Sequence, residues 1–191
     1  SEDHIIKSVN NSLEYLQTDY LDCLLLHRPS PLMDINIIAN TVKGLIKSGK
    51  IKSFGVSNFT ADQMDMFKGK VEILYNQINL SLTHLDHMFD GTLEYMQANN
   101  ILPMAYSPLG SYFKEGNNKI KKVVESLKDK YSCTDYQLLI SWLLKHPSKV
   151  YPVIGTTKSD RIKKSMKSLK IEIELIDWFE LLEASVGNRV P

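Results

Sequence analysis

Residues 51–78, IKSFGVSNFTADQMDMFKGKVEILYNQI, decide the fold class of this chain. Two short apolar runs, residues 51–56 and 73–77, flank a segment that begins with Thr60, a residue type favoured as a helix N-cap. A strand, a helix and a second strand in this order favour a right-handed crossover and a parallel sheet. Each run also ends in polar side chains, namely Ser57 and Asn58 for the first and Gln77 for the second.

The same alternation extends over the rest of the chain. Further strand-like runs are 20–27, 102–106 and 151–154, and helical periodicity covers 1–16, 35–48, 91–98, 119–130, 135–145, 159–169 and 173–185. Every strand-like run ends in a polar or glycine cluster. In a parallel barrel the active site is built at the carboxyl ends of the strands. The residues expected at that rim are His27, Ser57, Asn58, Gln77, Tyr106, Ser107, Gly155 and Thr157.

The pattern favours a barrel over an open doubly wound sheet. A doubly wound nucleotide-binding sheet normally carries GxGxxG after its first strand, and no such motif is present. A complete barrel has eight strands and roughly 250 residues, whereas this sequence shows five runs in 191 residues. We therefore expect an α/β fold: a partial (β/α)8 TIM barrel with about five of its eight parallel strands and a C-terminal helix, forming a single incomplete domain over residues 1–191.

Composition points to a cytoplasmic protein that acts on small molecules. Lys and Arg number 23 against 22 Asp and Glu, which leaves no global positive field for nucleic acid or an anionic membrane. No apolar run reaches the length of a membrane span, and the polar N-terminus does not resemble a signal peptide. Cys23 and Cys133 lack CxxC spacing, which suits a reducing compartment. His84 and His87 have HxxH spacing without further ligands, so no metal is expected.

Five motifs in order resemble the aldo-keto reductase family. They are LLLHRP at 24–29, LIKSGKIKSFGVSNF at 45–59, YNQI at 75–78, AYSPLG at 105–110 and VIGTTKSDRI at 153–162. The resemblance is closest to a bacterial oxidoreductase branch that carries HRPxPLMD, here residues 27–34. It runs from the third helix to the C-terminal helix of the family's barrel, and strands one to three have no counterpart.

The resemblance implies reduction of a small-molecule aldehyde or ketone by hydride from NADPH. The family uses a Tyr as proton donor, a Lys and an Asp that tune it, and a His that orients the carbonyl oxygen. Only the His has a match, His27, so the 191 residues alone are not expected to turn over substrate. A complete barrel is expected to be monomeric, whereas a truncated one exposes strand edges and is expected to self-associate.

The resemblance also assigns the cofactor contacts. It places Ser57, Asn58 and Gln77 on the nicotinamide carboxamide, Tyr106 against the nicotinamide ring, and Ser107, Leu109 and Gly110 at the pyrophosphate. Gly155, Thr156, Thr157, Lys158 and Arg161 match the segment that binds the adenosine 2′-phosphate. Lys164 and Ser165 depart from the acidic or amide residue and Asn that relatives often carry, so the adenine contacts differ.

Plainer interpretations remain open. Ser57 and Asn58 suit a helix entry, Tyr106 suits a core strand, and His27 suits a buried, hydrogen-bonded histidine. At the level of the molecule, the alternatives to a reductase are a non-catalytic NADPH-binding module or pseudoenzyme fragment, and a nonfunctional fragment that pairs its strands with another chain.

Overall fold

The computed structural model of the chain describes residues 1–190. Helices and strands alternate along these residues, as the sequence predicts. The strands are β1 (Leu21–Leu26), β2 (Ile51–Ser57), β3 (Tyr75–Asn79), β4 (Leu102–Tyr106) and β5 (Tyr151–Pro152). The helices are α1 (Glu2–Leu16), α2 (Ile35–Lys47), α3 (Ala61–Asp65), α4 (Asp86–Phe89), α5 (Thr92–Ala98), α6 (Asn118–Lys130), α7 (Asp135–Leu144), α8 (Ser159–Met166) and α9 (Leu175–Val186), with a 3-10 helix at Lys167–Lys170.

The strands form an open parallel sheet in which they follow one another in chain order. This confirms the expected α/β class with five parallel strands. Contacts group the residues into two compact units. The first unit holds Ser1–Ile78 with Glu94–Leu102, and the second holds Asn79–Leu93 with the chain from Pro103 onwards.

The first unit is built around β2. This strand is almost entirely buried, and Leu24 of β1 pairs with its Phe54, while its Ser57 pairs with Gln77 of β3. The Phe54 ring lies 5.8 Å from that of Phe67, so aromatic side chains fill the space between β2 and the segment that follows it. β1 is only half-buried along most of its length.

Two short polar motifs fix where helices begin. The Thr60 hydroxyl accepts from Gln63 N at 3.3 Å, and Gln63 Oε1 accepts from Thr60 N at 3.1 Å, which is a capping box at the start of α3. Thr134 and Gln137 repeat the arrangement at α7. The expected helix starts at Thr60 and Thr134 are therefore confirmed.

The second unit is held together by an indole pair. Trp142 of α7 and Trp178 of α9 stack with centroids 5.1 Å apart, and each Nε1 donates to the other residue's carbonyl, at 3.1 and 2.9 Å. The pair satisfies both buried indole N–H groups while removing two large apolar surfaces from water. It fixes α9 against α7.

Several expected boundaries move by a few residues. β3 covers Tyr75–Asn79 rather than 73–77, so Gln77 lies in the middle of the strand and not at its end. The pairing with β2 begins slightly earlier, because Leu74 N already donates to Phe54 O at 2.9 Å. β5 ends at Pro152 rather than 154, so Thr157 lies well beyond the strand. The expected helix 159–169 divides into α8 and the 3-10 helix, and α4 lies in a segment expected to be a loop. Ser1 occupies the N-cap of α1 without a side-chain hydrogen bond to the helix.

No helix within residues 1–190 combines the length and the apolar character needed to cross a bilayer.

Candidate active site

Three polar residues meet in the first unit where the end of β2 lies beside the middle of β3. The Ser57 hydroxyl donates to the Gln77 carbonyl at 2.8 Å, and Asn58 N donates to the same oxygen at 2.9 Å. Asn58 Nδ2 in turn donates to Ser57 Oγ at 3.1 Å, with the backbone of Asn58 in the left-handed region at φ 60°. The structure therefore brings Ser57, Asn58 and Gln77 into one hydrogen-bonded cluster, which we call the amide cluster.

A residue that the sequence analysis missed supports the amide cluster. Asn76 is fully buried, its Nδ2 donates to Phe59 O at 2.8 Å, and its Oδ1 accepts from Phe59 N at 3.4 Å. One side-chain amide thus satisfies both backbone groups of a residue in the loop that follows Asn58. Asn76 lies next to Gln77 in β3 and so faces the opposite side of the sheet, where the strand is buried.

His27 lies at the same end of β1. It is exposed and follows Leu26, which pairs with Val56, so its position in the register is level with Ser57. A cavity of about 390 Å³ is lined by His27 and Arg28, by His4 and Ser8 of α1, and by apolar residues of α1, α2, β1 and β2. Because His27 is exposed, it does not match the plainer interpretation as a buried, hydrogen-bonded histidine.

The second unit brings together most of the residues expected at the phosphates. A cavity of about 460 Å³ is lined by the segment 106–110, the segment 153–156, Tyr136 and Arg161. The backbones converge because Val153 N donates to Ala105 O at 2.8 Å, which aligns the residues after β4 with those after β5. Tyr106, Ser107, Leu109, Gly110, Gly155 and Arg161 therefore share one surface.

A second cavity of about 480 Å³ shares residues with the first. Leu109, Tyr136 and Arg161 line both, and Phe113, Thr134 and Lys164 complete the second. The Tyr136 hydroxyl lies 2.7 Å from Ser165 Oγ, and Ser165 Oγ donates to Arg161 O at 2.6 Å. Ser165 is 3% exposed, so its hydroxyl serves to join α7 to α8 rather than to face a ligand.

Thr157 and Lys158 lie outside both cavities. Both are exposed, and Lys158 occupies the N-cap of α8, where its N–H donates to Thr156 Oγ1 at 3.3 Å. Of the two adjacent threonines that match this segment, Thr156 lines the first cavity and Thr157 does not. Within residues 1–190, none of the salt bridges involves Lys158 or Arg161.

Tyr136 was also missed from the sequence. It lies on a helix rather than after a strand, so the search for polar residues at strand ends does not reach it. The available sequence signal is an aromatic residue two positions after the Thr134 N-cap, where a side chain lies close to the start of the helix.

His84 and His87 each face a carboxylate of their own loop. His87 Nδ1 lies 2.9 Å from Asp90 Oδ2, and His84 Nε2 lies 3.7 Å from Asp86 Oδ2. Among residues 1–190, no group of three or more His, Cys, Asp or Glu side chains is arranged to hold a metal ion.

Comparisons with known proteins identify similar sequences. The chain is 38% identical over 199 residues to the uncharacterized oxidoreductase YcsN of Bacillus subtilis, covering 100% of this chain and 66% of the relative. It is 36% identical over 198 residues to the oxidoreductase YdhF of Escherichia coli, covering 99% and 65%. The chain thus spans slightly less than two thirds of the length of these relatives.

A solved structure shows the same fold. The thermostable aldo-keto reductase Tm1743, crystallised with the inhibitor epalrestat, superposes with a TM-score of 0.89 at 26% identity, covering 96% of this chain and 66% of that one. This likeness confirms the expected part of a TIM barrel. The model of the Aldo/keto reductase family matches residues 1–184. The chain therefore belongs to the aldo/keto reductase family.

Proposed function

We propose that the protein is an NADPH-dependent oxidoreductase that reduces aldehyde or ketone carbonyls of small molecules. The observation that carries this proposal is the position of Arg161. Its side chain lines both cavities of the second unit, beside the loop 106–110, and none of the salt bridges within residues 1–190 occupies it. A guanidinium at the edge of a glycine-containing loop suits a phosphate monoester.

The start of α8 supports the same assignment. The first turn of a helix presents unpaired N–H groups and a partial positive charge, both of which favour an anion. Lys158 at the N-cap and Arg161 in the first turn add two positive charges there, against one negative charge on Asp160. We assign this end of the second unit to the adenosine 2′-phosphate, which distinguishes NADPH from NADH.

The loop after β4 suits the pyrophosphate. Ser107 and Gly110 both have positive φ, at 50° and 52°, so the backbone turns sharply where it lines the cavity and a phosphate can approach it closely. Tyr106 is half-buried at the end of β4 and lines the same cavity, as expected for an aromatic that stacks on a planar ring.

The amide cluster suits a carboxamide. Ser57 is 2% exposed, and its hydroxyl donates to the Gln77 carbonyl and accepts from Asn58 Nδ2, so we assign to it the orientation of the Asn58 amide. The side-chain amide of Gln77 makes none of the hydrogen bonds described within residues 1–190, and it offers both a donor and an acceptor. We assign this cluster to the nicotinamide, which when bound supplies the hydride.

His27 is assigned to the carbonyl oxygen of the substrate. An imidazole N–H directed at that oxygen stabilises the negative charge that grows on it during reduction. Turnover also needs a general acid within hydrogen-bond reach of the oxygen. The family resemblance assigns that acid to a Tyr with no counterpart among these 191 residues, so we expect them to bind nucleotide without turning over a carbonyl.

Arg161→Ala tests the cofactor assignment. Titration of the wild type and the variant with NADPH and NADH should show a loss of NADPH affinity of about 10- to 100-fold, because charge-assisted hydrogen bonds to a phosphate are removed. NADH affinity should change little. Lys163→Ala is the matched control, since Lys163 is an exposed cation of the same helix that lines neither cavity.

Equal losses for both nucleotides, or no loss for either, would refute the assignment of Arg161. Failure of the wild type to bind either nucleotide would refute the proposed function as a whole.

A non-catalytic NADPH-binding module is the second candidate. It is favoured by the site itself, in which His27 is the only residue assigned to the substrate. NADPH oxidation with a reactive aldehyde separates the two candidates when it is measured on a protein in which the first three strands of the family's barrel precede these residues. Turnover there that is lost in His27→Ala, while nucleotide binding is retained, supports the reductase. Nucleotide binding without turnover in that longer protein supports the module.

A further inference from the structure

The loop 107–111, here called the phosphate loop, rests on two hydroxyl groups of the segment that follows β3. Gly110 has φ +52°, and its N–H donates to Ser107 O at 2.7 Å. A Cβ added to Gly110 would lie 2.1 Å from Thr83 Oγ1 and 2.3 Å from Ser81 Oγ. Any side chain at this position would therefore displace the loop from the two hydroxyls.

Thr83 also binds the loop directly. Its Oγ1 accepts the N–H of Ser111 at 2.8 Å. The carbonyl of Ser111 accepts from Asn117 Nδ2 at 3.0 Å, so both backbone polar groups of Ser111 are held by side chains. The end of the phosphate loop is thus fixed in position by groups that themselves line neither of the two cavities.

Ser81 fixes the position of Thr83 through contacts made by its hydroxyl group. Ser81 is fully buried, and its Oγ accepts from Thr83 N at 3.3 Å and lies 3.3 Å from Thr83 Oγ1. The backbone of Ser81 exchanges hydrogen bonds with His84 at 3.1 and 3.0 Å, which closes the segment into a tight turn. The position of the Thr83 hydroxyl is therefore determined by a rigid support.

We propose that Thr83 is a positioning residue for dinucleotide binding, which sets the phosphate loop in its binding conformation before the ligand arrives. The inference rests on the proposed function, because it takes the phosphate loop as the pyrophosphate site. A loop already held in its bound conformation loses less entropy on binding, so its support contributes to affinity without touching the ligand.

This role has a signature that differs from that of Arg161. The pyrophosphate is common to NADPH and NADH, so loss of the support weakens both nucleotides equally. Loss of Arg161 weakens NADPH alone.

Thr83→Val tests the proposal, since valine keeps the shape of threonine and removes the hydroxyl acceptor. We expect the dissociation constants of NADPH and NADH to rise by the same factor, about fivefold, as for loss of one neutral hydrogen bond. Thr83→Ser should restore the wild-type values because it returns the hydroxyl. Ser81→Ala removes the hydrogen bond from Thr83 N to Ser81 Oγ. It should raise both dissociation constants by a smaller factor than Thr83→Val does.

Thr41→Val is the matched control. Thr41 is buried in α2, and its hydroxyl donates to Ile37 O at 2.8 Å, so this variant also loses one buried threonine hydroxyl bond. It should leave both dissociation constants unchanged.

Four results would overturn the inference: unchanged binding in Thr83→Val, a loss confined to NADPH, a loss that Thr83→Ser does not restore, or an equal loss in Thr41→Val. If Thr83→Val does not fold, Ser81→Ala decides, and unchanged binding there overturns the inference. Each of these leaves the proposed function intact as long as the wild type binds nucleotide. A wild type that binds neither nucleotide overturns both.

Discussion

The buried side chain of Asn76 makes the two backbone hydrogen bonds to Phe59 that a neighbouring strand would otherwise make. Its amide pairs with both backbone groups of Phe59, and its Nδ2 also lies 3.4 Å from Met64 Sδ. The Phe59 ring is itself fully buried and contacts Phe67 at a centroid distance of 6.1 Å. The loop that carries the amide cluster is therefore held by both polar and apolar contacts.

Asn76→Asp should destabilise the fold. Aspartate keeps an acceptor for Phe59 N but places a second oxygen against Phe59 O, in a site without solvent. We expect the free energy of unfolding to fall by about 1–3 kcal/mol, the cost of leaving a buried polar group unsatisfied. Urea denaturation followed by circular dichroism measures it.

Asn99→Asp is the control for this change. Asn99 Nδ2 donates to Tyr95 O at 2.8 Å, but at an exposed position. This variant should alter the unfolding free energy by no more than about 0.5 kcal/mol. Equal effects of the two substitutions would contradict the role given to Asn76.

At the scale of residues, the sequence predicts those that end strands and misses those that support them. Ser57, Asn58 and Gln77 stand out because polar side chains interrupt apolar runs. Asn76 and Thr83 contact Phe59 and Ser111, which are 17 and 28 residues away in the chain. Such residues become neighbours only after folding, so no pattern in the local sequence predicts these contacts.

Among the elements, α6 and α9 are joined by a polar cluster around Asp177. This carboxylate is 8% exposed and accepts from Lys130 Nζ at 2.8 Å and from the Tyr131 hydroxyl. Lys130 also reaches Glu174 at 3.0 Å, and Tyr131 Oη accepts from Glu174 N at 2.8 Å. Burial alone raises the pKa of Asp177, but the hydrogen bonds from Lys130 and Tyr131 outweigh it and lower the pKa.

The stability that Asp177 contributes should depend on pH in the acid range. A carboxyl whose pKa is lowered in the folded state contributes fully above its unfolded pKa of about 3.9. The contribution is lost as the pH falls through the folded value. At pH 7 we expect Asp177→Asn to reduce the unfolding free energy by about 1.5–3 kcal/mol, as for hydrogen bonds to a charged group.

Urea denaturation at pH 7, 5 and 3 measures the difference between wild type and Asp177→Asn. The difference should be constant from pH 7 to 5 and smaller at pH 3. Glu180→Gln is the control, because Glu180 is an exposed acid of the same helix and forms none of the salt bridges described within residues 1–190. A difference that persists unchanged at pH 3 would show that Asp177 acts through packing rather than charge.

The bounds of an element are predicted closely from the sequence where local residues determine them. They are predicted less well where pairing with another strand determines them. β4 is predicted to the residue, and α7 to within one residue because its capping box is local. β5 was predicted two residues too long, since its register with β4 ends at Pro152, although Val153 N still donates to Ala105 O. Where a strand ends is determined by its partner, which the sequence of the strand does not contain.

At the scale of the whole molecule, the charge is nearly balanced, at a net +1. Attraction for a dinucleotide therefore has to come from local charge rather than from the field of the whole protein. The cations placed to supply it are Lys158 and Arg161 at the start of α8 and Lys164, which lines the second cavity. A single acid, Asp160, lies among them.

Nucleotide binding should stabilise the folded chain by mass action. A ligand at 100 times its dissociation constant adds about 2.7 kcal/mol to the free energy of unfolding, which for a chain of this length is a rise in Tm of roughly 5–10 °C. We expect this shift with NADPH in low salt, and a smaller one with NADH at the same concentration. Because exposed charges are screened, about 0.5 M salt should reduce the NADPH shift more than the NADH shift.

Arg161→Ala should make the Tm shifts with the two nucleotides equal, and Lys163→Ala should leave the wild-type difference between them in place. Scanning calorimetry measures all of these shifts, and equal shifts with NADPH and NADH in the wild type would contradict a 2′-phosphate site at α8.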